Sequence, residues 1–278
     1  GKVIDLPRGA TIHSAVLELT GLSAQRLGQG GVWQVRALAR AEDEDWSRKT
    51  FQDLPNLGNI MGKMEYGKMI AGCAAALTTQ TGKIGFLGPL INDETRRFAA
   101  SAYLGAKYCW TEYLENDPAA LEFKVTWIGF WFNIPGVTLD PTQVADDFFN
   151  TGYDVVISSI DTTEALVEAK KFAADGKQVW ALPYDYAGAC EGADEVCLGV
   201  PYFNWGPVYL ATALAVQDGT WTQSWDWNGP DWENLTDNTV TNVGWVSGPA
   251  LTPEAQANLD LFIAGLASGE INAWAGPI

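Results

Sequence analysis

The chain has 278 residues, of which 47% are apolar and 18% charged, with 34 Asp and Glu against 17 Lys and Arg for a net charge of -17. This is a globular composition, and its negative balance argues against non-specific affinity for nucleic acid or an anionic bilayer. No apolar run reaches membrane-spanning length and no signal peptide with a basic n-region is visible, so a soluble, already processed form is expected.

The charge is unevenly spread. Residues 1–52 hold seven Lys and Arg against six Asp and Glu, and residues 53–278 hold ten against twenty-eight. Five of the seven arginines and the single histidine, His13, lie in that first fifth. Residues 1–52 read as β-structure. Ala15, Leu17 and Leu19 share one face of a strand, and Trp33, Val35 and Ala37 share one face of another. The phrase Leu6-Pro-Arg-Gly-Ala-Thr-Ile-His-Ser-Ala-Val-Leu-Glu-Leu19 looks like the β-sandwich modules of bacterial surface proteins.

From about residue 63 the rhythm changes to alternating helix and strand. Residues 65–79 form a helix of small residues, and 82–88 a buried strand. Asn92 is placed to cap a helix whose first turn carries Asp93 and Glu94, signs favoured by the helix dipole. A strand over 123–129 follows, and Asp140-Pro141 opens a helix to Asn150 as an N-cap with proline at the first helical position. Strand 154–158, helix 163–174, strand 178–182, a strand at 196–200, helix 205–217 and a capped helix from Thr252 to Ala267 complete the pattern. The alternation predicts an α/β protein with βαβ units on a parallel sheet, and strands 125–129, 154–158 and 178–182 as sheet neighbours.

In such sheets ligands bind beyond the carboxyl ends of the strands. Three ends are unusual here. Ser158-Ser-Ile-Asp-Thr-Thr163 places five hydroxyl or carboxylate side chains in six positions. Thr126 to Asn133 finishes on Phe130, Trp131, Phe132 and an amide, and Val179 to Tyr186 presents Tyr184, Asp185 and Tyr186. Together they offer rings for stacking and acceptors for hydroxyls, which suits a small hydroxylated ring. The plainer alternative for Asp161 or Thr162 is a helix cap.

Several of these phrases resemble the basic membrane protein family of ABC-importer substrate-binding proteins. They are Gly67-Lys-Met-Ile-Ala-Gly-Cys-Ala-Ala-Ala-Leu77, Thr81-Gly-Lys-Ile-Gly-Phe-Leu-Gly88, Gly152-Tyr-Asp-Val-Val-Ile-Ser158 and Leu182-Pro-Tyr-Asp185, over about residues 56–278. The resemblance implies a type I periplasmic-binding fold of two α/β lobes and a nucleoside-like ligand in the inter-lobe cleft. It also implies an extracytoplasmic location, a permease partner, and a membrane tether through an N-terminal lipid outside this chain. It assigns Asp185 to sugar hydroxyls, places Glu65 near the ligand and turns Phe130, Trp131 and Phe132 to the cleft; the strand-end reading adds Ser159, Asp161 and Thr162 to its lining. The pattern departs at Pro201-Tyr-Phe203, where the family has a basic residue, and residues 1–52 do not match the family's opening strands. The organisation that follows is an atypical β-rich segment over 1–52, an N-terminal lobe remnant over 53–120 joined by part of the tail, a C-terminal α/β lobe over 121–250, and a helix and tail over 251–278.

No P-loop, dinucleotide-binding glycine pattern or nucleophile elbow occurs, and Asp146-Asp147 are successive residues on a helix, so no enzyme, cofactor or metal is expected. Trp225-Asp-Trp-Asn-Gly-Pro-Asp-Trp232 keeps a carbohydrate-binding or carbohydrate-active alternative open. Asp226, Asn228, Asp231 and Glu233 could ligate calcium, though without EF-hand spacing. A structural surface protein is the third reading. Cys190 and Cys197 close a short polar loop that suits a disulfide in an oxidising compartment, with free thiols as the alternative, whereas Cys73 and Cys109 read as buried thiols.

Overall fold

The computed structural model describes residues 58–275. The strands expected within residues 1–52, and His13, lie outside the described residues. Helices α1 (Met64–Thr78), α2 (Asp93–Glu112), α3 (Pro141–Asn150), α4 (Glu164–Ala174), α5 (Gly206–Gln217) and α6 (Pro253–Ser268) all fall where the sequence places them. Their starts follow the expected chemistry. Asn92 accepts from the backbone N–H of Thr95 while the Thr95 hydroxyl accepts from the N–H of Asn92, and Asp140 and Thr252 each cap a helix that opens on proline.

The main sheet is wholly parallel and has four strands in the order β3 (Glu122–Trp127), β2 (Lys83–Gly88), β4 (Val155–Ser158) and β5 (Trp180–Leu182). Expected strands 125–129 and 154–158 are therefore not neighbours. The connection from β3 to β4 crosses over β2, which lies between them as one of the two inner strands. One sheet thus draws strands from both sides of residue 120.

Side-chain alternation divides the core into two layers. Ile84, Phe86, Val155, Ile157 and Leu182 pack towards α1 and α2, and Leu87, Val156 and Ala181 towards α3 and α4. Helix α1 is buried almost all round because small and apolar residues surround its axis. It meets α2 backbone to backbone. A Cβ on Gly72 would lie 1.9 Å from the Ala102 carbonyl oxygen, and one on Gly105 would lie 2.0 Å from that of Met69. This approach brings the Cα atoms of Cys73 and Cys109 to 5.2 Å, and the two are joined. They are buried as expected, but as a disulfide rather than as thiols. Cys190 and Cys197 form the second disulfide, as expected.

Two small sheets were not read as such from the sequence. β1 (Asn59–Gly62) pairs in parallel with β7 (Trp225–Asn228), and β6 (Gly199–Phe203) pairs antiparallel with β8 (Val243–Ser247). The strand expected at 196–200 is thus displaced to 199–203. The tryptophan-rich 225–232 phrase contributes the strand β7. Asp231 accepts from the backbone N–H groups of Glu233 and Asn234, and no metal-holding group of acidic, His or Cys side chains occurs among the described residues. Helix α5 buries none of its residues; Tyr209, Leu210, Leu214 and Val216 are each at least half exposed. No helix among the described residues is long and apolar enough to cross a membrane.

Candidate functional site

The strand order β3-β2-β4-β5 reverses direction at β2, so the chain leaves β2 and β4 towards opposite faces of the sheet. In open α/β sheets ligands bind at the carboxyl ends of two strands whose connections diverge in this way. The Ser-Ser-Ile-Asp-Thr-Thr phrase occupies that place. The Ser159 N–H donates to the Leu87 carbonyl at 2.9 Å, stitching the phrase to β2. The Asp161 N–H donates to the Trp131 carbonyl at 2.8 Å, stitching it to the loop after β3. In that loop the rings of Phe130 and Phe132 meet edge to face, 4.9 Å between centroids.

Neither Asp161 nor Thr162 caps helix α4. The N-cap is Thr163, which makes no side-chain cap bond. The hydroxyls of Ser159 and Thr162 are buried without a hydrogen-bond partner within the protein. Such groups cost free energy unless another molecule satisfies them. The oxygen-rich phrase is therefore not consumed by local structure.

Asp185 follows β5 and adopts φ 75°, a left-handed conformation rare for a residue with a side chain. Its N–H donates to the Pro201 carbonyl at 3.1 Å, so β6 holds it there. Backbone strain of this kind costs about 1–3 kcal/mol and gathers at functional sites. The Asp185 carboxyl is pushed up by burial and drawn back by Lys68. Asp161 keeps an open face to solvent while protein crowds its other side. Burial first and the Asp185 carboxylate second raise it to about 6.

The amino ends of α1 and α2 bring further charge. Burial raises Glu65, while Arg97 and Lys63 lower it. Burial also raises Glu94; Arg97 lowers it, and Glu65 and Asp161 raise it. The Arg97 guanidinium lies 4.8 Å from the Trp227 ring centre. One oxygen of Glu65 and the Nε of Arg97 are buried with no hydrogen-bond partner. Charge coupling thus links Glu65, Glu94, Asp161 and Asp185 into one group.

Of the residues expected at the site, Asp161 is hydrogen-bonded to the Trp131 carbonyl and feels the Asp185 carboxylate as a like charge, and Glu65 joins them through Glu94. Ser159 is fixed beneath them at the end of β4. Phe130, Phe132 and Thr162 share the adjoining loops, and no hydrogen bond or charge coupling ties them to Asp185. Tyr184, expected to be presented at the strand end, is instead buried, whereas Tyr186 is exposed. Sequence reasoning missed Lys68, Arg97 and the site role of Glu94. Lys68 carried a signal, as the one charge inside an otherwise apolar stretch from Tyr66 to Thr79.

No protein-family model matches the chain. One curated relative, from Haloferax volcanii, carries the name ABC transporter glucose-binding protein TsgA13; it is 24% identical over 223 residues, covering 80% of this chain and 50% of the relative. A second, the purine-binding protein BAB2_0673 of Brucella abortus, is 24% identical over 234 residues, covering 82% of this chain and 58% of its own length. The chain therefore spans between half and three-fifths of these relatives.

Among solved structures, an ABC-transporter solute-binding protein of Aeropyrum pernix superposes with a TM-score of 0.63 at 13% identity, covering 78% of this chain and 66% of that one. A second solute-binding protein, from Conexibacter woesei, gives 0.52 at 16% identity, covering 78% and 65%. A transcriptional activator of the comK gene from Bacillus halodurans gives 0.54 at 15% identity, covering 78% and 67%. The fold is the helix-flanked parallel α/β architecture of ABC solute-binding proteins, and both curated relatives are named as binding proteins. The comK activator shares it, so architecture alone does not assign a role.

Proposed function

We propose that this chain is the ligand-capturing part of an extracytoplasmic substrate-binding protein serving an ABC importer, and that it binds a small, polar, ring-containing solute of nucleoside-like chemistry without transforming it. The observation that carries the reading is the pairing of Asp161 with a strained Asp185 at the carboxyl ends of β4 and β5, beside the aromatic loop after β3. Two acceptor-rich carboxylates suit vicinal hydroxyls, and rings nearby suit a flat heterocycle. The purine-binding name of one relative supports this ligand class. A permease is the implied protein partner, with a lipid outside this chain as the tether.

A sugar is the second reading, favoured by the glucose-binding name of the other relative. Isothermal titration of the 278-residue chain with nucleosides, riboflavin and hexoses separates the two. Saturable binding of a nucleoside or free base with hexoses silent supports the first; the reverse supports the second. Turnover of any of these compounds would overturn the binding role.

A further inference from the structure

Arg97 stands one turn after Glu94 on α2, and residues three apart share a helix face. Its guanidinium lies 4.8 Å from the centre of the Trp227 ring, which comes from β7. The Nη1 of Arg97 donates to the Asp93 carbonyl of its own helix at 3.4 Å, while its Nε is buried with no hydrogen-bond partner. One oxygen of Glu65, in the first turn of α1, is buried in the same condition. The Trp227 indole N–H donates at 3.3 Å to the carbonyl of Gly62, the last residue of β1 before that turn. Trp227 thus bridges α2 and the approach to α1, the two places where these polar groups stay buried and unpaired.

Trp227 is an incomplete partner for them. Its ring is 43% exposed, and the first three residues of its strand are all exposed. Its one polar atom is already given to Gly62, and indole has no acceptor to offer Nε. Each unpaired buried group costs free energy that a partner would recover. A flat heterocycle with carbonyl and N–H groups on its rim brings an aromatic face for the guanidinium, together with the acceptor and donor that indole withholds.

We propose that the face of Arg97 is the ring subsite for the captured solute, and that Trp227 occupies it in the free chain as a stand-in which an incoming planar ring displaces. The inference rests on the binding role proposed above and narrows its ligand. The solute is a flat, conjugated ring with hydrogen-bonding groups on its rim. A hexose has no aromatic face to exchange for that of Trp227.

The test is calorimetric titration of the parent, Trp227→Ala and Arg97→Met with guanosine, adenosine, cytidine, riboflavin and glucose. With no stand-in to displace, Trp227→Ala should bind the best planar compound about two- to fivefold more tightly, the worth of one exposed cation–ring contact. Arg97→Met should bind it about tenfold more weakly or worse. Should Trp227→Ala not fold, fluorine NMR of the parent labelled with 5-fluorotryptophan decides, with Trp227→Phe to assign the resonance. That resonance should move on saturation with the same compound. Equal or weaker binding by folded Trp227→Ala, equal binding by folded Arg97→Met, or a Trp227 resonance unmoved at saturation overturns the stand-in and leaves the binding role intact. Binding of glucose alone overturns the ring subsite together with the nucleoside reading. No saturable binding by the parent or by Trp227→Ala overturns the binding role itself, and the inference with it.

Discussion

Replacing Asp161 by asparagine should stabilise the free chain at neutral pH while weakening capture of its ligand. Burial and the Asp185 carboxylate raise Asp161 from 3.8 to about 6. A carboxyl raised on folding favours the native state below its unfolded value and loses that contribution as pH climbs through its folded value. The ionised form therefore disfavours the fold above about pH 6. The shift is about two units, for a ceiling of about 3 kcal/mol at 1.36 kcal/mol per unit. Because Asp161 keeps an open face, water and salt screen it, and about 1 kcal/mol is the expected effect. Urea denaturation of the parent and Asp161→Asn at pH 7.5 and pH 4 measures it. The variant should gain about 1 kcal/mol at pH 7.5, with most of the gain gone at pH 4. A gain that is absent at pH 7.5, or equal at both pH values, would refute the assigned environment of Asp161.

Two further predictions concern the scaffold. Asp154 is buried and accepts from the Thr79 hydroxyl at 2.5 Å and from the backbone N–H groups of Gln80 and Thr81 at 2.6 and 3.0 Å, tying the turn after α1 to the start of β4. Asp154→Ala should cost roughly 3 kcal/mol or more in urea denaturation, and a loss below about 1 kcal/mol would contradict this role. Cys73–Cys109 and Cys190–Cys197 close loops of 36 and 7 residues, so the chain-entropy relation gives about 4 and about 2 kcal/mol. The Cys73→Ser, Cys109→Ser double variant should therefore lose more stability than its 190/197 counterpart, and the reverse order would contradict this ranking.

Local structure was legible because its signals are local. Asn92, Asp140-Pro141 and Thr252-Pro253 announce helices through capping chemistry that acts within a few residues, and all three helices begin there. The strands missed were those defined by distant partners. Asn59 pairs with Trp225, and nothing in either tetrapeptide names the other. Strand order was misread for a related reason. Periodicity shows that β2 and β4 are strands, but the crossing that sets β2 between β3 and β4 is a property of the whole sheet. The disulfide between α1 and α2 likewise depends on an approach that Gly72 and Gly105 permit, a signal carried by small residues rather than by cysteine spacing.

Asp161, Asp185 and Ser159 were nominated from sequence because strand ends in parallel α/β sheets are where ligands bind. Glu94 was read only as a favourable charge for the helix dipole, and Lys68 only as part of a helix. A sequence shows that a charge lies on a helix; which carboxylate it faces is decided by packing. The positive φ of Asp185 was equally invisible, since it comes from the bond to Pro201 across to β6.

The central claim is that Asp185 receives hydrogen bonds from a captured solute. Calorimetric titration of the parent chain and Asp185→Ala with the best-binding nucleoside or sugar tests it most directly. A buried charge-assisted hydrogen bond is worth roughly 1.5–3 kcal/mol, so affinity should fall about ten- to a hundredfold with the fold intact. Equal affinity in the folded Asp185→Ala variant would contradict the account.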